Sequence, residues 1–138
     1  MFTKELKPKI KEMVEAVSEK RWFKAVENLC SFNRYSYNAQ ILKAKEYVIE
    51  RLNKIGKFNI TVENYMRGTT KVWNILAELK GTEKPDEIYI VAGHIDSTSN
   101  SPSTAAPGAV DDASGSASVL EIAKIFTKYP PKHTMHFM

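Results

Sequence analysis

The chain has 138 residues, of which 43% are hydrophobic and 26% charged, and it carries a net charge of +4. That length suits one domain and is short for two. Six Gly and six Pro exclude collagen-like and Pro/Gly-rich disordered chains, the single Cys30 excludes an internal disulfide or a Cys-rich zinc site, and no stretch nears the roughly 18 apolar residues of a membrane span.

The first ten residues, MFTKELKPKI, are charged and lack an apolar core, so they do not read as a secretory signal, and localisation stays unassigned. Residues 1–57 hold 13 basic and 7 acidic side chains, whereas residues 58–138 hold 7 and 9. In the basic half, lysines interleave with Glu12, Glu15 and Glu19 at helical spacing, the pattern of a solvated helix face rather than a nucleic-acid surface. Cys30 reads as a small buried hydrophobe.

Leu6, Ile10, Met13 and Val17 form one stripe and predict a helix over 4–17, with Pro8 in its first turn. A second helix is expected from Ser18, burying Trp22, Val26 and Leu29. A third is expected from about Asn38 to Ile55, with Ile41, Leu42, Val48, Leu52 and Ile55 inward and Gly56 as its stop. Residues 58–65 alternate and are β-branched, so they predict a strand, and 70–79 predict its partner after a turn at Arg67-Gly68. The run 87–93 (EIYIVAG) reads as a strand buried on both faces. A small, polar loop follows over 97–110, then a helix over 114–128 ended by Pro130-Pro131, then a strand in HTMHFM. Tyr35, Tyr37 and Tyr65 read as packing aromatics, and Glu121 as a solvated helix residue. His133 and His136, three apart on a strand, should point to opposite faces. Strand, helix and strand in succession imply a parallel pair, and the class is an open α/β sheet flanked by helices.

Chemistry concentrates at two places. His94 and Asp96 lie just past the carboxyl end of the 87–93 strand, where open α/β sheets bind ligands. Asp96 has two readings: it accepts a hydrogen bond from one ring nitrogen of His94, as partners of metal-bound histidines do, or it is itself a ligand. The second place is Asp111-Asp112, directly before a helix. One carboxylate there serves as an ordinary cap, which leaves the other free for separate work. A carboxylate can bridge two divalent cations; Asp111 is assigned that part, and Asp112 is the cap or a supporting partner.

The run VAGHIDSTS followed by APGAVDDASGSASVLEIAKIF resembles the zinc-dependent exopeptidases of the bacterial leucyl aminopeptidase and glutamate carboxypeptidase type. The likeness extends upstream to FNRYSYNAQILKAKEYVIERLNKIG and VWNILAELKG. It implies the N-terminal part of a mixed, mostly parallel sheet flanked by helices, in a single, incomplete catalytic domain over 1–138, with a helical front (1–57) and a sheet carrying the first metal motifs (58–138). By this resemblance His94 and Asp111 are metal ligands, Asp111 bridging two zinc ions; Asp96 is the catalytic aspartate that orients His94; and the Asp111-Asp112 peptide bond is cis. Val110 stands where many relatives carry a polar residue.

The resemblance further implies hydrolysis of peptides from a free N-terminus. The remaining ligands and a glutamate base are expected from segments beyond Met138, so the chain as given is expected to be an inactive fragment. Two other readings use the same scaffold: a glutaminyl-cyclase-type zinc enzyme, and a peptidase-like domain without catalysis that serves for binding. A stand-alone structural domain is disfavoured, because the last strand is expected to leave an open apolar sheet edge.

Overall fold

The structure is a computed structural model that describes residues 7–138. Leu6 and the start of the expected first helix lie outside the described residues. Helix α1 (Pro8–Glu15) has Pro8 in its first turn, as expected, and ends before Val17. Its stripe does not enter the core: Ile10 and Val17 are exposed and Met13 is only partly covered. Helix α2 (Glu19–Cys30) is capped by Ser18, whose hydroxyl accepts the Arg21 N–H. Leu29 is buried in it, and Trp22 and Val26 pack against the core.

Helix α3 (Ile41–Ile55) starts three residues later than expected, because Asn38 and Gln40 spend their polar groups in a turn: Asn38 Oδ1 accepts the Gln40 N–H at 2.9 Å. Ile41, Ala44, Val48 and Leu52 are buried, whereas Leu42 points outward, one position off the stripe. Gly56 ends the helix at φ 78°, a left-handed conformation open to glycine at little cost.

Strands β1 (Asn59–Arg67) and β2 (Thr70–Leu79) form an antiparallel hairpin. Strand β3 (Lys84–Val91) leads through an irregular stretch to a wide turn at Ala109–Ala113, then to helix α4 (Ser114–Lys128) and strand β4 (His133–Phe137). The sheet is mixed, in the order β1-β2-β4-β3; β4 pairs antiparallel with β2 and parallel with β3. The parallel pairing expected across the strand–helix–strand unit is therefore present, and within this chain it is confined to β3 and β4.

Two expectations change. Strand β4 is not an open edge; it is inserted between β2 and β3. The margin falls instead to β3, whose Ile88, Tyr89 and Ile90 are more than half exposed, so this apolar run is not buried on both faces. The core lies between the sheet and helices α2, α3 and α4: Leu29, Ala44, Val48, Leu52, Leu120 and Ala123 meet Ile75, Ala77, Met135 and Phe137. Each such side chain contributes about 1.5–3 kcal/mol when fully withdrawn from water, less for alanine.

Glu121 is a further correction. It is 7% exposed rather than solvated. Its carboxylate accepts the Ser18 N–H at 2.7 Å and pairs with Arg21 Nη2 at 2.6 Å. Buried carboxylates need such partners, because an isolated charge in the interior is costly. The pair fastens the start of α2 to the middle of α4.

Candidate metal centre

Strand β3 stops at Val91, and the ladder continues one step further: Met138 N–H donates to Val91 O and Gly93 N–H to Met138 O, both at 3.0 Å. The chain then leaves the sheet and presents His94. Its backbone is fastened to the start of α4 at two points. His94 N–H donates to Asp112 Oδ2 at 3.1 Å, and Ser116 Oγ donates to His94 O at 3.0 Å. Asp112 Oδ1 accepts the Gly115 N–H at 3.0 Å, so this aspartate both caps α4 and supports His94.

Asp111, freed from capping, turns outward. Its backbone is extended rather than helical (φ −120°, ψ 93°), and the Asp111-Asp112 bond is cis. Its Oδ1 lies 2.9 Å from His94 Nε2, and both side chains stay more than half exposed. On the other side of the ring, His94 Nδ1 faces Asp96 twice: the backbone oxygen at 3.0 Å and Oδ1 at 3.3 Å. Asp96 thus stands behind His94, on the nitrogen that does not face Asp111.

The imidazole is thereby bracketed by acceptors on both nitrogens. A neutral ring has one N–H, so one nitrogen would meet an oxygen lone pair to lone pair. Two states resolve this: an imidazolium, or a cation between Nε2 and Asp111. The protonation of His94 reflects the same surroundings. Partial burial works against its charge, but the Asp96 hydrogen bond and the charges of Asp112, Asp96 and Asp111 outweigh it and raise the pKa above its ordinary value.

Imidazole nitrogen and carboxylate oxygen are donors that zinc accepts. A catalytic zinc takes three protein ligands and an open position. Among the described residues no group of three or more His, Cys, Asp or Glu side chains gathers to hold a metal. The donors present therefore fit part of a zinc site. His133 and His136 do not complete it: His133 Nδ1 stands 2.9 Å from Glu87, and His136 Nε2 stands 3.2 Å from Glu78.

The residue that builds this corner is Arg34, which is 0% exposed. Its guanidinium donates to Ile95 O at 2.7 Å, Leu29 O at 2.9 Å, Gly108 O at 2.9 Å and Pro107 O. Main-chain bonds run beside it, Arg34 N–H to Ala106 O and Ser97 N–H to Arg34 O. The segment after α2 thus joins the His94 loop to the Asp111 loop. Five rigid donors suit this task, and burial pulls the group's pKa below its ordinary value, offset in part by Cys30, Asp112 and Asp96. Sequence reasoning missed this role. The available signal was one arginine inside FNRYSYN, a turn-like stretch without a helical partner for its charge.

A groove of about 940 Å³ opens beside His94 and Asp96. Tyr37, Leu42, Tyr65 and Trp73 wall it, and Lys45 lies over the Trp73 ring at 5.1 Å. Tyr37 and Tyr65 are exposed there and are not interior packing.

This mixed sheet with its helices is found in solved structures. LapB from Legionella pneumophila is 19% identical with a TM-score of 0.78, over 95% of this chain and 37% of that one. A glutaminyl cyclase from Fimbriiglobus ruber is 20% identical with a TM-score of 0.73, over 88% of this chain and 44% of that one. At such identities the likeness establishes the fold.

Residues 74–138, which carry both aspartate motifs and His94, match Peptidase family M28. A probable zinc metalloprotease of Pyrenophora tritici-repentis is 51% identical over 69 residues, 48% of this chain. The chain spans 16% of that relative's length. Among the described residues no helix is long and apolar enough to cross a membrane.

Proposed function

We propose that this chain is the front part of a zinc-dependent peptidase, in which His94 and Asp111 supply metal ligands. One observation carries this reading. Two donors 17 positions apart converge to 2.9 Å at the carboxyl end of a strand, beside an apolar groove. The family match over 74–138 supports peptide-bond hydrolysis as the reaction.

In this reading His94, through Nε2, and Asp111 would be the residues that hold zinc, Asp111 being the one assigned to serve two ions. Asp96 accepts the Nδ1 proton of His94, which keeps the Nε2 lone pair available. Asp112 holds the His94 backbone and leaves Asp111 free. Bound zinc supplies a Lewis acid that polarises the scissile carbonyl and acidifies water. The groove walled by Tyr37, Leu42, Tyr65 and Trp73 takes the apolar parts of a peptide, and the finer activity is release of residues from a free N-terminus. Two donors fall short of a catalytic zinc, so the activity belongs to a protein that joins this segment to further ligands. A glutaminyl-cyclase-type reaction is the second reading, favoured by the shared fold.

Zinc titration of the chain against a chromophoric chelator tests the ligand pair. Weak binding is expected, abolished by His94→Ala and by Asp111→Ala. Equal binding by the chain and both variants, or no binding by any, overturns it. Linear-peptide cleavage against pyroglutamate formation, assayed in a longer parent, separates the two reactions.

A further inference from the structure

We propose that Ser36 is a positioning residue for His94: its hydroxyl holds the Asp96 carboxylate 3.3 Å from Nδ1, where its charge reinforces the hydrogen bond between that nitrogen and the Asp96 backbone oxygen. The inference deepens the zinc reading and rests on it for its functional meaning, although its geometry stands without a metal.

Ser36 Oγ donates to Asp96 Oδ2 at 2.8 Å across 60 residues of sequence. The other carboxylate oxygen, Oδ1, stands 3.3 Å from His94 Nδ1. The two oxygens of one carboxylate are therefore divided between a fixed hydroxyl and the imidazole. Asp96 has a half-exposed side chain, and an exposed carboxylate left alone samples several rotamers. A hydroxyl on one oxygen selects the rotamer that presents the other to Nδ1.

Ser36 can do this because its own segment is fastened. Arg34, two residues earlier, is locked by carbonyls from Leu29, Ile95, Pro107 and Gly108. Asn33 Nδ2 donates to Pro102 O at 2.9 Å, and Asn33 Oδ1 accepts the Tyr35 N–H at 3.1 Å. Beyond it, Asn38 N–H donates to Tyr35 O at 2.8 Å. The hydroxyl thus projects from a braced turn toward the one side chain that stands behind His94.

The tautomer is where this matters. Asp111 draws a proton toward Nε2, and Asp96 draws it toward Nδ1. A metal needs Nε2 bare. Loss of the Ser36 hydroxyl weakens the Asp96 side and moves the ring toward the wrong tautomer. The backbone oxygen of Asp96 remains, so the loss is partial.

The test is long-range ¹H–¹⁵N NMR of the histidine-labelled, metal-free chain at a pH where the ring is neutral. Ser36→Ala is expected to lower the ratio of Nδ1–H to Nε2–H tautomer at His94 by up to about 10-fold, the bottom of the range by which partners of metal ligands change metal affinity. Ser36→Thr, which keeps the hydroxyl, is expected to restore it. Cobalt affinity, followed by its visible spectrum, should fall by a similar factor in Ser36→Ala and recover in Ser36→Thr. An unchanged tautomer ratio in Ser36→Ala overturns the proposal, as does a ratio that Ser36→Thr fails to restore. If no variant binds cobalt but the ratios move as stated, the zinc reading fails and the positioning role stands.

Discussion

Arg34 Nη2 donates to Gly108 O at 2.9 Å, joining residues 74 positions apart in the chain. The bond is one of four that this buried guanidinium gives to carbonyls of the two loops and the end of α2. It explains how a long polar loop holds one shape: its carbonyls are satisfied by a charge from another element.

Replacement of Arg34 should therefore cost more than a surface arginine would. Arg34→Met leaves several buried carbonyls without donors, and a loss of about 3 kcal/mol or more is expected. Arg34→Lys keeps the charge but not the planar fork, and should recover part of it. Urea unfolding monitored by Trp fluorescence checks this. A midpoint equal to that of the parent chain would refute the role.

Gly108 has φ 47°, and an added Cβ would run into Asp111 O and the Ser97 side chain. Gly108→Ala should destabilise by about 1–2 kcal/mol from the left-handed backbone alone. Because the collision is with Asp111, zinc affinity should fall further than stability does. Calorimetric titration beside thermal melting separates these losses. Equal affinity in the variant would show that Asp111 tolerates the shift.

Glu121 is a third test, distant from the metal pair. Glu121→Ala leaves the Ser18 N–H and the Arg21 guanidinium without their acceptor, for an expected loss of about 1–3 kcal/mol. Arg21 is 44% exposed in its side chain, so Arg21→Ala alone should cost less. A double-mutant cycle should give a coupling of about 0.5–2 kcal/mol. Additive losses would mean that the pair contributes nothing as a pair.

The fourth prediction concerns pH. The folded chain holds the His94 pKa above its ordinary value, with burial opposing and the Asp96 bond and nearby carboxylates prevailing. A raised folded pKa contributes stability that is fully present below the unfolded value and disappears as pH rises through the folded one. Zinc competes with that same proton, so its affinity should weaken as pH falls through the His94 titration. NMR titration should place His94 above the ordinary histidine value, and Asp111→Asn should lower it. A His94 pKa unmoved by Asp111→Asn would contradict the bracketed geometry.

Local signals were read correctly where local chemistry decides. The bounds of α4 follow from an apolar stripe, a preceding carboxylate cap and Pro130-Pro131 behind it. β2 follows from its run of residues after a Gly turn. His94 and the Asp111-Asp112 pair stood out because one lies past a strand end and the other offers two carboxylates where one suffices as a cap. The outward turn of Leu42 and the late start of α3 were not, since turn hydrogen bonds at Asn38 compete with helical ones.

By itself the sequence determined which segments become helix or strand, because periodicity is a property of neighbours along the chain. Only the tertiary structure decided that β4 enters between β2 and β3, leaving Ile88, Tyr89 and Ile90 at the margin. It alone paired Arg21 with Glu121, set Arg34 under two loops and aimed Ser36 at Asp96. These contacts join residues 60 to 100 positions apart, and for Glu121 and Arg34 the partners are chosen by the desolvation of charge in the interior, which no local pattern records.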